Sequence, residues 1–184
     1  KYPQSDNPLW TGGKSAHEKI RIGYVSADFH EHATAYLMAE MFELHDKSRF
    51  EVSGISLGPS GDSPMRQRLK RSFDRFLDCR DLPDLEIAES QIDILVDLKG
   101  YTRDARTNIF AYRPAPVQVN YLGYPGTMAA PYMDYIIGDK ILFGLSDQND
   151  YTEKLVFLPH SYQPNDRRRS ISAAELTREE FGLK

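Results

Sequence analysis

The amino-acid sequence predicts an α/β fold built on a doubly wound, mostly parallel β-sheet. Short β-rich runs alternate with helical segments along the chain, which is the pattern of right-handed βαβ units. The apolar run Ile94-Leu95-Val96, inside a predicted strand at residues 92–98, is typical of a buried strand. A length of 184 residues with 40% hydrophobic and 27% charged content suits one domain with a substantial core. These observations together indicate a Rossmann-like sheet.

The predicted strands are short runs rich in β-branched and other apolar residues, bounded by turn residues or charges. In chain order they cover residues 20–26, 50–57, 75–78, 92–98, 117–122 and 133–138, with a further edge element at 155–158. The rigid entry Arg113-Pro114-Ala115-Pro116 leads into the fifth of these strands, and the sixth ends at Asp139.

The helices are predicted from apolar periodicity and from start signals. In chain order they cover residues 35–45, 64–73, 83–91 and 106–112. The run Ser60-Gly61-Asp62-Ser63-Pro64 marks the start of the second helix, because proline is accepted in the first turn. The third helix is expected to direct Leu85, Ile87 and Ala88 inward.

Composition divides the chain into three parts. Residues 1–19 are rich in Pro, Gly, Ser and charge and predict a linker or docking segment. Residues 20–164 form the predicted Rossmann-like lobe, and residues 165–184 a linker followed by a helix that leads onward. The run Arg167-Arg168-Arg169 in the third part is interpreted as a solvated connection, since so short a basic run rarely forms a binding patch.

Charge and cysteine content narrow the partners and the compartment. With 23 Lys and Arg against 27 Asp and Glu, the net charge of -4 gives no reason to expect nucleic acid or an anionic membrane as partner. The single cysteine, Cys79, excludes an internal disulfide and a Cys-based metal site, which favours a cytoplasmic location. No segment approaches the ~18 consecutive apolar residues of a membrane-spanning helix.

Four loops are expected to line one edge of the sheet, because ligands of doubly wound sheets gather at the carboxyl ends of the strands. They carry residues 28–34, 99–102, 122–127 and Asp139. In the third loop, Gly123, Pro125 and Gly126 allow the backbone to approach a ligand closely, although such residues taken alone more often form a tight structural turn.

The loop after the first strand combines a carboxylate, an imidazole and a helix start. Asp28 and His32 lie four residues apart, and a histidine acts as a general base near neutral pH when a carboxylate orients it. Thr34 offers a hydroxyl to a ligand oxygen or to the helix cap. A helix cap beside a surface histidine is the alternative interpretation. No metal is expected from the His and carboxylate spacing, and no nucleotide cofactor is expected because GxGxxG and Walker A loops are missing.

Four sequence blocks between residues 20 and 159 form a combination that is far more specific than any one of them. They are Ile22-Gly23-Tyr24-Val25-Ser26-Ala27-Asp28-Phe29 with His32, Arg113-Pro114-Ala115-Pro116-Val117-Gln118, Gly123-Tyr124-Pro125-Gly126-Thr127, and Met133-Asp134-Tyr135. The combination resembles the O-linked N-acetylglucosamine transferases and the SPINDLY proteins of glycosyltransferase family 41.

This resemblance implies the N-terminal half of a catalytic region of the two-Rossmann GT-B type. The implied activity is inverting transfer of N-acetylglucosamine from UDP-N-acetylglucosamine to Ser or Thr of proteins, usually with tetratricopeptide repeats ahead of the catalytic region. The C-terminal lobe, which holds most nucleotide contacts and an essential lysine in this family, is expected to follow Lys184. Without it, the chain is expected to do little.

Site residues carry over by motif position. Asp28 and His32 match residues at the catalytic centre, and Thr34 matches a donor-side contact. The residues that match the loop around the sugar are Leu122, Gly123 and Pro125.

Two further positions bear on the donor sugar. The chain has Ala33 between His32 and Thr34, where the family transferases commonly have proline and the SPINDLY branch is also altered. SPINDLY-like O-fucosyl transfer from GDP-fucose therefore stays open, although Gly126 favours the N-acetylglucosamine branch. A module that binds proteins without catalysis is the alternative from another functional class.

Overall fold

The seven strands of the computed structural model form one sheet in which every paired neighbour is parallel. The structure describes residues 2–13, 16–144, 146–171, 173–174 and 177–183. The strands are β1 Ile20–Ser26, β2 Phe50–Ser56, β3 Arg75–Asp78, β4 Ile94–Asp97, β5 Val117–Tyr121, β6 Tyr135–Gly138 and β7 Lys154–Phe157. Their spatial order is β3-β2-β1-β4-β5-β6-β7, so strand order reverses between β1 and β4. The predicted doubly wound sheet is confirmed.

In the part of the chain that the structure describes, four α-helices connect successive strands from β1 to β5. They are α1 Ala33–Glu43, α2 Pro64–Ser72, α3 Asp84–Ala88 and α4 Asn108–Ala111. Pro64 opens α2 directly after Ser63, whose side chain accepts a hydrogen bond from the backbone N–H of Arg66. Two single 3-10 turns follow, Asp147–Asp150 and Glu179–Phe181, and the second ends at the left-handed Gly182.

The third and fourth helices are shorter than the sequence pattern predicts. Residues just outside them have positive φ angles, with Gln91 at 54°, Asp104 at 63° and Arg113 at 50°. A positive φ is incompatible with a continuing right-handed helix. These backbone reversals bar any extension past them, but they lie two to four residues beyond the ends of α3 and α4, which have five and four residues.

The core lies in two layers, one on each face of the sheet. Val25, Ile55 and Leu95 share one layer with residues of α3 and α4, among them Ile87 and Phe110. The opposite layer joins the sheet to α1 and α2 through Tyr24, Val52, Val96, Met38, Phe42 and Leu69. The two layers hold the strands rigidly and leave the loops at their carboxyl ends to form a site.

The segments that flank the sheet dock onto it. In the first segment, Leu9 and Trp10 donate backbone hydrogen bonds to the carbonyls of Tyr112 and Arg113, each at 2.9 Å. The guanidinium of Arg113 lies 5.5 Å from the centre of a Trp10 ring. Leu9 and Trp10 therefore dock the first segment against the residues that precede β5.

The basic run after residue 165 makes more contact than its composition indicates. Arg167 forms an ion pair with Glu40 at 2.9 Å, and Arg168 with Glu43 at 3.0 Å. Both acids lie on α1, more than 120 residues earlier in the chain. The side chains of Arg167 and Arg168 stay 76% and 68% exposed, so the run is solvated as interpreted, and the two ion pairs also dock it on α1.

Candidate functional site at the carboxyl edge of the sheet

A buried ion pair lies where strand order reverses. Asp28 follows β1, Lys99 follows β4, and the ammonium Nζ of Lys99 lies 2.8 Å from Asp28 Oδ2. The two side chains are only 10% and 9% exposed. Removing two charges from water is costly, and removing one partner alone leaves an uncompensated charge at a cost of about 3 to 5 kcal/mol. Sequence reasoning placed Lys99 at this edge but gave it no partner.

The loop that carries Lys99 is fixed by a second carboxylate. Asp97 Oδ1 accepts hydrogen bonds from the backbone N–H groups of Lys99 and Gly100, at 2.8 and 3.0 Å. Burial raises the pKa of Asp97 to about 6, against the opposing effect of those two N–H groups. This buried carboxyl was also missed by sequence reasoning, since its position at the end of an apolar strand gave no chemical signal.

His32 caps the first helix. Its Nδ1 accepts a hydrogen bond from the backbone N–H of Thr34 at 3.2 Å, and its side chain is 42% exposed. The same Nδ1 lies 3.6 Å from Asp28 Oδ2, which is too long for a hydrogen bond. The cap is thus His32 itself, and Asp28 is held by Lys99 more closely than by the imidazole it was expected to orient.

The predicted sugar-side loop packs against the Lys99 loop. A Cβ atom placed on Gly123 would lie 2.1 Å from the carbonyl oxygen of Leu98 and 3.2 Å from Lys99 Cα. Only glycine accommodates this approach. The preceding residue, Leu122, has a φ of 70°, in the left-handed region that non-glycine residues rarely occupy.

Hydrogen bonds from neighbouring side chains fix the rest of this loop. The Nδ2 atom of Asn120, at the end of β5, donates to the carbonyls of Tyr124 and Gly126 at 2.9 and 3.3 Å. The hydroxyl of Tyr151 donates to the carbonyl of Pro125 at 3.0 Å, which leaves the exposed proline ring on the surface. These hydrogen bonds fix the shape of the loop from within the chain.

The far end of the same loop is attached to the fully buried Glu153. Its Oε2 accepts from the Thr127 hydroxyl at 2.7 Å, and its Oε1 accepts from the backbone N–H of Met128 at 2.6 Å. The carboxylate comes from the residue before β7, far from the loop in sequence. Local spacing could not identify it as a loop anchor.

Two clefts open along this edge. The first, of about 390 Å³, is lined by Asp28, His30, Gly58, Arg80 and Arg106 among others. It lies over the ends of β1, β2 and β3. Among the described residues that line it, Asp28 is the one predicted site residue. It therefore extends the site away from the Leu122 loop, toward the β3 edge of the sheet.

The second cleft, of about 870 Å³, lies at the β6 and β7 side and includes Leu37, Asp139 and Tyr162. Asp139 accepts backbone hydrogen bonds from Leu142 and Tyr162, which lower the pKa of its carboxyl. Those bonds give Asp139 a structural role in its own turn. Of the four predicted edge loops, those of Asp28, Lys99 and Gly123 form one connected unit, and Asp139 lies apart from them in the second cleft.

The comparisons with known proteins agree with this geometry. The family model described as glycosyl transferase family 41 matches residues 8–176. The chain belongs to this family. Among the described residues, none of the helices is long and apolar enough to cross a membrane.

Named relatives of family 41 cover most of the chain. It is 41% identical over 153 residues to an Arabidopsis thaliana protein named as a probable UDP-N-acetylglucosamine–peptide N-acetylglucosaminyltransferase, SEC, and 40% identical over 159 residues to the Caenorhabditis elegans transferase of that activity. A rice protein named as a probable UDP-N-acetylglucosamine–peptide N-acetylglucosaminyltransferase, SPINDLY, is 31% identical over 168 residues. The alignments cover 81%, 84% and 88% of this chain but only 16%, 14% and 18% of those relatives.

A solved structure shows the same architecture. A mutant O-GlcNAc transferase of Thermobaculum terrenum superposes with a TM-score of 0.76 at 39% sequence identity. The match covers 80% of this chain and 29% of that one. The fold described above is therefore that of part of a family 41 transferase.

Proposed function

We propose that this chain forms the acceptor-side lobe of an inverting protein O-glycosyltransferase. The reaction transfers N-acetylglucosamine from UDP-N-acetylglucosamine to Ser or Thr hydroxyls of proteins. Membership of family 41 and about 40% identity to two relatives named for this activity support the proposal. In the intact protein, tetratricopeptide repeats and a C-terminal lobe are its proposed partners, and its proposed location is the cytoplasm.

The structural observation that carries the proposal is the connection of two loops through Lys99. Its side chain binds Asp28 at 2.8 Å, while its backbone lies against Gly123. Lys99 thereby joins the loop that carries Asp28 and His32 to the loop of residues 122–127. Both loops lie where the strand order reverses, which is where doubly wound sheets bind ligands.

The proposed mechanism is in-line attack of an acceptor hydroxyl on the anomeric carbon of the donor. Positioning of the two reactants supplies much of the rate, and His32 and Thr34 orient substrate oxygens at the start of α1. The Leu122, Gly123 and Pro125 backbone forms the sugar-side wall. The second lobe closes the opposite side of the cleft and excludes water. No metal or cofactor enters this mechanism.

A second candidate is O-fucosyl transfer from GDP-fucose, as proposed for a SPINDLY-like enzyme. SPINDLY relatives from five plants are 29% to 32% identical to this chain, and they keep this candidate open, although all five are named as probable UDP-N-acetylglucosamine–peptide N-acetylglucosaminyltransferases. Their lower identity compared with the 41% and 40% relatives supports N-acetylglucosamine as the first choice.

A donor panel separates these functions. The full-length protein that contains this chain is incubated with acceptor proteins and either UDP-N-acetylglucosamine or GDP-fucose. Mass spectrometry then identifies the released nucleotide and the modified peptides. UDP release with a mass gain of N-acetylglucosamine on Ser or Thr is the expected result. GDP release with fucosylated peptide selects the second candidate. Protein binding without turnover of either donor selects the non-catalytic module.

A further inference from the structure

We propose that Lys99 is a positioning residue that fixes the tautomer of His32, with the ring proton on Nε2. The inference deepens the proposed function, on which its consequence for catalysis rests. The hydrogen bonds around Asp28 and His32 supply the argument.

The nitrogen that caps α1 is Nδ1 of His32. Nδ1 of His32 accepts the backbone N–H of Thr34 at 3.2 Å, and a ring nitrogen accepts a hydrogen bond only when it carries no proton. In the neutral imidazole the proton then lies on Nε2.

The carboxylate of Asp28 competes for the same nitrogen. Asp28 Oδ2 lies 3.6 Å from Nδ1, near enough that a small shift of the ring would allow a proton on Nδ1 to be donated to it. The Lys99 ammonium occupies this same Oδ2 atom at 2.8 Å. A charge-assisted hydrogen bond of that length satisfies the carboxylate and leaves it a weaker acceptor for the imidazole.

Burial and a backbone hydrogen bond fix Lys99 in place. Its side chain is 9% exposed, and its backbone N–H is bonded to Asp97 Oδ1 at 2.8 Å. The other ring near this group, that of His30, lies 5.7 Å from the His32 ring between centroids. In the part of the chain that the structure describes, the charged and titratable groups with a recorded contact around the His32 ring are Asp28, with Lys99 behind it, and His30.

The consequence is a defined role for His32. With the proton fixed on Nε2, the exposed edge of the ring donates a hydrogen bond to a substrate oxygen instead of accepting a proton there. Loss of the Lys99 ammonium frees Asp28, draws the proton to Nδ1 and turns Nε2 into an acceptor. Lys99 thus decides which chemistry His32 offers without touching the substrate itself.

Nitrogen-15 NMR of histidine-labelled chain tests the tautomer directly. The chain has five histidines, and the His32 signals are assigned by their loss in His32→Gln. In the wild type, at a pH where the ring is neutral, Nε2 is expected to carry the proton. Lys99→Met is expected to move the proton to Nδ1, and Lys99→Arg to restore it to Nε2. The double variant Asp28→Asn/Lys99→Met is also expected to restore Nε2, because it removes the competing carboxylate.

Several results would overturn the proposal. A proton on Nδ1 in the wild type contradicts it even if no variant folds. An unchanged Nε2 proton in folded Lys99→Met also contradicts it. Lys70→Met, which removes an exposed lysine on α2, is the matched control and must keep the wild-type spectrum.

Activity of the protein at its natural length supplies the second readout. Lys99→Met is expected to lower kcat/KM for transfer about tenfold or more, with substantial recovery in Lys99→Arg, since a misplaced ring proton disables a positioned histidine. Absence of transfer in the wild type would contradict the proposed function and leave the tautomer result standing. Full activity of Lys99→Met together with a shifted tautomer would overturn the catalytic role alone.

Discussion

Gly123 passes so close to Leu98 that a side-chain carbon on the glycine would lie 2.1 Å from the Leu98 carbonyl oxygen. The contact joins the loop after β5 to the loop after β4 through backbone atoms alone. Neither backbone can move away without disturbing the strand that precedes it. Glycine is therefore required both for the close approach of the two loops and for the stability of the fold.

Gly123→Ala is expected to lower the free energy of unfolding by about 1 to 3 kcal/mol, the usual cost of forcing an extra methyl group into a packed region. Urea denaturation measures the loss. Gly61→Ala is the matched control, since no atom lies within 4 Å of a Cβ placed there, and it should change stability by no more than about 0.5 kcal/mol. Equal effects of the two substitutions would show that the Leu98 contact is relaxed in solution.

Arg66 holds the Asp28 loop from beneath. This arginine is 1% exposed, and its Nη1 donates to the Phe29 carbonyl at 3.0 Å and to Ser56 Oγ at 3.1 Å. Arg66→Met should destabilise the fold by about 1 to 3 kcal/mol for each buried acceptor that finds no new partner. Thermal unfolding followed by circular dichroism gives the comparison with Arg71→Met, an exposed site on the same helix. A stability loss no larger than that of Arg71→Met would contradict the role assigned to Arg66.

Asp97 makes stability depend on pH in a direction opposite to that of most paired carboxylates. Its pKa is raised from 3.8 to about 6 in the folded chain, so the folded state binds this proton more tightly than the unfolded state. The contribution of the group to stability therefore falls as pH rises between about 4 and 6 and stays low above that range. A shift of roughly two units corresponds to about 3 kcal/mol.

Asp97→Asn removes this titration and keeps an oxygen that accepts the N–H groups of Lys99 and Gly100. The variant is expected to match the wild type near pH 4 and to exceed its stability by up to about 3 kcal/mol near neutral pH. Denaturant titrations of both proteins across this range give the difference curve. A difference that is flat with pH would place the pKa of Asp97 at its ordinary value in the folded chain.

Much of the fold could be predicted because its signals are local. The strand at Arg75–Asp78 matches its predicted bounds, and Ile20–Ser26 does so as well. Burial against a sheet demands short β-rich runs, and a sequence shows such runs directly. The two short helices were overestimated because apolar periodicity does not mark where they end, and the positive φ angles at Gln91 and Arg113 lie two to three residues beyond those ends.

The meeting of three predicted loops at one edge of the sheet could be predicted from the sequence, their mutual contacts only in part, and their role as a functional site stays a prediction. Asp28 and Gly123 were identified because each lies in a loop at the end of a strand, where topology alone gathers ligands. The partner of Asp28 was missed because Lys99 lies 71 residues away, and no spacing rule connects residues across two strands. The role of His32 was left open for the same reason, since the hydrogen bond to Thr34 becomes visible only with the helix in place.

Glu153 provides the last test of how the sugar-side loop is held. Its carboxylate is fully buried and accepts hydrogen bonds from Thr127 and Met128, so Glu153→Ala leaves the buried Met128 N–H without this acceptor, while the part-buried Thr127 hydroxyl keeps Thr152 as a neighbour. The expected destabilisation is about 1 to 3 kcal/mol for the unpaired amide, with faster hydrogen exchange at Met128. Glu153→Gln keeps one acceptor oxygen and should retain most of the protection. If exchange at Met128 accelerates equally in both variants, the negative charge of Glu153 anchors the loop, and the count of acceptor oxygens does not.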